Sequence, residues 1–165
     1  MEKAAISLTA KNEGPSLSVV GDTYRLVITG RQTNGEFALI DMLVPPGGGP
    51  GPHAHPGMHE TFYVQEGEIE VKTESGAYTA TAGCTIYIPK GGGVHCFKNK
   101  SDRMAHLLCY VVPAGLDEFF LEIGQPVAPG VFLPPPTLDA AALNNLRAIA
   151  GKYGTTIFPP DFLDR

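Results

Sequence analysis

The sequence has no apolar run approaching the ~18 residues that span a bilayer, and no basic run of five or more residues. Lys and Arg total 12 against 17 Asp and Glu, a formal net charge of −5. The electrostatic footprint of a nucleic-acid or anionic-membrane binder is therefore missing. There is no GxSxG nucleophile elbow, and the glycine run at 47–51 is not followed by GK[ST], so neither that hydrolase type nor a phosphate loop is indicated. The three cysteines, Cys84, Cys96 and Cys109, are scattered and form no CxxC pair. An odd, scattered set argues against a disulfide framework and for small buried hydrophobes in a reducing cytoplasm. The opening MEKAAISLTAKNEG lacks an apolar core of signal-peptide length and is expected to be retained. No internal repeat occurs, and the His-x-His stretch appears once.

What the chain does have is 20 Gly and 15 Pro against 8% aromatic residues, the composition of many turns between short strands. Its 165 residues suit a single domain, 1–165, able to bury a core unaided. The runs TYRLVIT (Thr23–Thr29) and EFALIDMLV (Glu36–Val44) are β-branched and apolar. HETFYVQEG, EIEVKTE, AYTATAG, CTIYIP, VHCFKN and AHLLCYVVP follow, broken by turn signals such as Glu66-Gly67, Ser75-Gly76 and Gly83. Strands this short with no helices between them predict an antiparallel barrel or sandwich. Alternation turns Ile69 and Val71 to the core and Glu68, Glu70 and Lys72 away from it. Residues 1–20 show no clean period and suit a strand added to a sheet edge or to a partner subunit.

The character changes after the last strand. Leu116, Phe119, Phe120 and Ile123 predict a short amphipathic helix ended by Gly124. QPVAPGVFLPPP carries too many prolines for regular structure and reads as a rigid tether. Thr137 is placed to cap a last helix with Leu138, Ala142, Leu146 and Ile149 on its apolar side and Gly151 as its stop. The acid pairs Glu68/Glu70 and Asp117/Glu118 are expected on solvated faces.

The chemistry concentrates between Gly47 and Gly67. His53 and His55, two apart, project to one side of an extended strand, and Glu60 arrives after a short turn. Two imidazoles and a carboxylate suit a partial metal shell, and His95 in PKGGGVHCFKN can complete a mixed nitrogen and oxygen site. His59 should face away from Glu60, and becomes the substitute ligand if the register slips by one. His106 reads as a strand or rim histidine and Asn99 as a turn residue. Phe62 and Val64 share parity with Glu60, and Phe97 shares it with His95. These three are the candidate substrate-pocket lining, or ordinary filling of a small barrel.

With these residues in place, the sequence resembles the cupin superfamily, in particular its single-domain members of the quercetinase-like branch. Gly47, His53, His55, Glu60 and Gly67 fit the first family motif without a gap. Gly83, Pro89, His95 and Asn99 match the second, with one extra residue between Pro89 and His95 that the Gly91-Gly92-Gly93 turn can absorb. The likeness covers roughly residues 23–113, with a weaker likeness in the tail. It implies an all-β fold, a small antiparallel β-barrel of the double-stranded β-helix or jelly-roll type, with short C-terminal helices over about 115–165. It also implies one divalent transition metal per chain (Fe, Ni, Mn, Zn or Cu) held by His53, His55, Glu60 and His95. Glu60 would then either ligate the metal or act as a general base with a raised pKa. The resemblance further implies a homodimer, often made by exchange of N-terminal strands.

The function this implies is dioxygenase-type oxidoreduction of a small aromatic or polyphenolic compound. Metal-assisted isomerisation, cyclisation or decarboxylation is the alternative, or a non-catalytic module binding metal and a small molecule. A storage or purely structural role would require a degenerate metal set and ranks last. The expected partner is a small-molecule substrate, with neither nucleic acid nor membrane.

Overall fold

The computed structural model describes residues 5–164. Residues 1–4, the start of the stretch expected to be retained and exchanged, and residue 165 lie outside the described residues. The strands in chain order are β1 (Ser16–Val19), β2 (Asp22–Ile28), β3 (Ala38–Val44), β4 (His53–Ala54), β5 (His59–Glu66) and β6 (Glu68–Thr73). Then come β7 (Gly76–Thr81), β8 (Thr85–Ile88), β9 (His95–Lys98) and β10 (Ala105–Val112), the helix α1 (Leu116–Ile123), β11 (Gln125–Pro126), the helix α2 (Ala140–Lys152) and β12 (Thr156–Ile157). No described helix is long and apolar enough to cross a membrane.

Two antiparallel sheets face each other. One has seven strands in the order β11-β1-β2-β3-β10-β5-β8, the other five in the order β12-β4-β9-β6-β7. The long strand β10 lies between β3 and β5, pairing Cys109 with Ile40 on one side and with Phe62 on the other. Period-two alternation turns Ile40, Met42, Val44, Val64, Leu107 and Val111 inward, all nearly or completely buried. Ile69, Val71 and Phe97 meet them from the smaller sheet. The sheets are not closed into one hydrogen-bonded ring among the described residues, so the barrel is a double-sheet jelly roll.

Helix α1 buries Leu116, Phe119 and Phe120, and the Phe120 ring meets Tyr24 edge-on with centroids 5.0 Å apart. Asp117, expected on a solvated face, is fully buried. Its carboxylate accepts from Gly30 N–H at 2.7 Å and Gly115 N–H at 3.0 Å, stapling the helix start to the loop after β2. Helix α2 starts two residues later than Thr137 suggests. Asp139 is the cap, its side chain accepting from Ala142 N–H at 2.8 Å. The helix runs past Gly151 to Lys152, with a positive-φ Gly154 beyond it.

The proline-rich segment departs from pure tether at its start, where Gln125–Pro126 extends the large sheet beside β1. β1 itself is an internal strand, hairpinned to β2 through Val20 and Gly21, both at positive φ. Asn99 is a backbone-bonding residue as expected, donating to Val44 O at 2.9 Å and Arg103 O at 2.7 Å from a fully buried position.

Candidate metal centre

The two sheets supply the site from opposite sides. His53 and His95 are cross-strand partners in the β4–β9 ladder of the smaller sheet, and His55 follows β4 directly. Glu60 comes from β5 in the larger sheet, between Ile88 and Val111. The glycine-rich approach lets this happen. Gly49 lies at φ 112°, and a Cβ there would sit 2.2 Å from Phe97 O, so the loop can run against β9 only without a side chain. The extra residue before His95 is absorbed where expected, with Gly91 at φ 69° and its N–H donating to Pro56 O at 2.7 Å.

All four side chains converge. One ligand atom from each of His53, His55, Glu60 and His95 lies within 4.8 Å of every other. The imidazole centroids are 4.5 Å (His53–His95), 4.9 Å (His55–His95) and 5.4 Å (His53–His55) apart. His53 Nδ1–H donates to Gly51 O at 2.8 Å and His95 Nδ1–H to Gly93 O at 3.1 Å. A carbonyl can only accept, so each ring keeps its proton on Nδ1 and presents the Nε2 lone pair to the centre.

The donor set fits a cation. Glu60 Oε2 lies 2.9 Å from His55 Nε2 and 3.4 Å from His95 Nε2, yet none of these approaches is aligned as a hydrogen bond. Three buried polar atoms thus point at one another without partners, an arrangement that is costly unless something bridges them. A divalent transition metal suits three neutral imidazoles and one carboxylate.

The directions for His53 and Glu60 agree with this reading. Burial, with His95 alongside, pushes His53 down to about 4, which keeps it neutral and able to ligate. For Glu60, burial alone would raise the carboxyl. The close approach of the His55 and His95 imidazoles outweighs it and holds Glu60 well below the usual carboxylate range. Burial lowers His55, but the neighbouring Glu60 more than offsets this and leaves it raised. A lowered Glu60 differs from the raised value expected of a general base; as a permanent anion it suits ligation better.

A cavity of about 250 Å³ opens beside the centre. His53, Glu60, Phe62 and Phe97 line it, the two phenyl rings edge-on at 5.3 Å. Val64 does not line it. Two residues further along β5, it lies deeper and fills the core at 0% exposure. His59 faces outward, its Nδ1 2.8 Å from Tyr87 OH. His106 stands on the other face of β10 from Cys109 and pairs with Asp41.

Three features at the site escape a reading of the motifs. Cys109 Sγ lies 3.4 Å from Glu60 Oε1, inside the core. Asp22, almost fully buried, accepts from Tyr24 OH at 2.9 Å and Gly49 N–H at 3.1 Å, anchoring the glycine loop before His53. Burial pushes Asp22 up to about 6 against the pull of those hydrogen bonds. Finally, the tail returns. β12 pairs with β4, and Thr155, Ile157 and Phe158 join Leu143 and Leu146 of α2 in the cavity wall. Parity of β10 could have flagged Cys109 as inward; nothing in the tail's composition announces its return.

Residues 40–111 match the family model described as Cupin domain. A curated relative, quercetin 2,3-dioxygenase of Bacillus subtilis (strain 168), is 26% identical over 120 residues, 73% of this chain and 35% of the relative. The chain thus spans about a third of that relative's length. KdgF from Halomonas sp. superposes with a TM-score of 0.60 at 17% identity, covering 69% of this chain and 99% of that one. Ectoine synthase from P. lautus superposes with a TM-score of 0.55 at 22% identity, covering 76% and 86%. At such identities the structural likeness speaks for the fold alone. Sequence match over residues 40–111, motif spacing and jelly-roll architecture point the same way: this part of the chain is similar to cupin domains.

Proposed function

We propose that this chain is a metal-dependent enzyme of the dioxygenase type, acting on a small aromatic or polyphenolic compound. The observation that carries the proposal is the adjacency of the His53, His55, Glu60, His95 cluster to a cavity walled mainly by Phe62, Phe97, Phe119, Phe120 and aliphatic side chains. Such a cavity favours a flat apolar ligand with few polar groups. The likeness to quercetin 2,3-dioxygenase supports the same direction.

In this proposal His53, His55, Glu60 and His95 hold the metal. When bound, the metal supplies a Lewis-acidic centre that polarises a ligand oxygen and, if redox-active, can exchange electrons. The chain's own residues do the rest. Gly51 O and Gly93 O fix the imidazole tautomers, Glu60 keeps the centre's net charge down, and the phenyl rings and tail exclude water from the apolar ligand.

The second function in contention is non-redox chemistry at the same centre, since the fold is shared with an ectoine synthase. Oxygen-electrode assays on protein reconstituted separately with Fe, Mn, Ni, Cu and Zn, using flavonols and simple catechols, decide between them. Phenol-dependent oxygen uptake with a redox metal supports the dioxygenase. Turnover only with zinc, without oxygen uptake, supports the non-redox reaction and overturns the first. We further propose a cytoplasmic homodimer: the extended N-terminal arm leaves Ile6 and Leu8 almost wholly exposed, a side that a second copy can cover. Sedimentation of the Ile6→Asp, Leu8→Asp variant as a dimer would count against that arm.

A further inference from the structure

We propose that Cys109 is a positioning residue for the metal centre, its thiol hydrogen holding Glu60 Oε1 so that Oε2 alone is turned to the imidazoles. Cys109 and Glu60 are diagonal neighbours in the β10–β5 ladder, where Cys109 pairs with Phe62 and Val111 with Glu60. Sγ lies 3.4 Å from Oε1, with Cys109 at 0% and Glu60 at 2% exposure.

No other hydrogen bond reaches Oε1 among the described residues. The nearby Tyr24 hydroxyl is committed to Asp22. The remaining inward residues of β10, Ala105, Leu107 and Val111, have no polar atom to offer. Position 109 is the one place on that strand face where a donor stands, and it stands against the carboxylate. A buried carboxylate with one oxygen so held cannot turn freely, and outer partners of this kind commonly set ligand affinity and orientation. A weak donor also leaves Oε2 with most of its charge.

The inference rests on His53, His55, Glu60 and His95 being the metal-binding set, and its test separates the two ideas. Wild type, Cys109→Val, Cys109→Ser and His53→Ala are stripped with chelator and titrated with Co²⁺. Affinity is read by chelator competition, the ligand field by visible absorption, and melting of each metal-free protein is recorded alongside.

Val fills similar space without a donor, whereas Ser donates more strongly. Cys109→Val is expected to bind Co²⁺ roughly 10- to 100-fold more weakly with an altered absorption band. Cys109→Ser should keep both near wild type, and metal-free Cys109→Val should melt earlier than wild type, because Oε1 is left buried without its donor. Wild-type affinity and spectrum in Cys109→Val overturn the proposal. So does equal loss in the Val and Ser variants, which would make the role one of packing. If wild type and His53→Ala alike take up no Co²⁺, the metal-binding set falls and this inference with it.

Discussion

Ile157 pairs with His53 across the β12–β4 ladder, placing a strand from the tail in register with a candidate ligand. β4 has only two residues, and β12 and β9 are its hydrogen-bonded neighbours. The tail is therefore part of the site's scaffold rather than an appendage. Phe158 N–H donates to Pro52 O at 2.9 Å, closing the ladder just before His53.

Phe158→Pro removes that donor together with the ring that packs against Phe162, centroids 4.6 Å apart. Stability should fall by about 1 to 3 kcal/mol, for the lost hydrogen bond and the lost ring together, while metal affinity should fall roughly tenfold because His53 loses its lateral support. Thermal melting with and without metal, together with chelator competition, checks both. Wild-type metal affinity in this variant would show that β9 alone suffices to hold β4.

Metal should stabilise the fold with the logarithm of its free concentration above the dissociation constant. At about 100 times the dissociation constant the expected gain is about 2.7 kcal/mol, which for a chain this size raises Tm by roughly 5 to 11 °C. His53→Ala should lose most of that gain yet fold, because His53 lines the cavity and is not one of the apolar residues that build the core. Differential scanning calorimetry of chelated and reloaded proteins measures this. A metal-dependent rise in the variant equal to wild type would remove His53 from the binding set.

Asp117 supports the cavity wall from behind. Replacing it by Ala strands the N–H groups of Gly30 and Gly115, whose only side-chain acceptor among the described residues is that carboxylate. The expected loss is roughly 2 to 4 kcal/mol, with Asn costing less because its oxygen can still accept from one of them. Urea denaturation of Asp117→Ala and Asp117→Asn gives the comparison, and near-equal losses would mean that shape, not hydrogen bonding, sets the cost.

Most of the site could be read from the sequence because strand parity and motif spacing are local quantities. Two histidines at i and i+2, Glu60, and the outward turn of His59 all follow from period two, and the structure keeps each of them. Parity fails to give depth along a strand. Phe62 and Val64 are equivalent by parity, yet only Phe62 reaches the cavity. Asp117 looked solvated because Glu118 beside it has the same charge, and one of its two donors, Gly30 N–H, comes from a distant loop. Asp139, also a capping residue type, takes the cap two positions beyond Thr137. β12 pairs over more than a hundred residues with a strand too short to announce itself, so no local signal could place it.

The larger sheet carries a separate charge cluster whose titration is independent of the metal ligands. Asp41 on β3 accepts from Arg25 Nη2 on β2 at 2.8 Å and from His106 on β10, with Glu66 of β5 opposite His106. The Asp41 hydrogen bond raises His106 above its ordinary value, against burial and Arg25 and with help from Glu66. Burial pushes Asp41 up, but His106 and Arg25 outweigh it and leave it lowered. A raised histidine contributes stability fully below its unfolded pKa of about 6.5 and loses it as pH rises through the folded value. A lowered carboxylate contributes above its unfolded value and loses it as pH falls. The pair is therefore worth most between those limits, in mildly acid solution. His106→Gln should cost on the order of 1 kcal/mol near about pH 5.5 and far less near about pH 9, where the wild-type imidazole is neutral. Urea denaturation of both proteins across that range measures the difference, and a gap independent of pH would show that His106 contributes through packing instead.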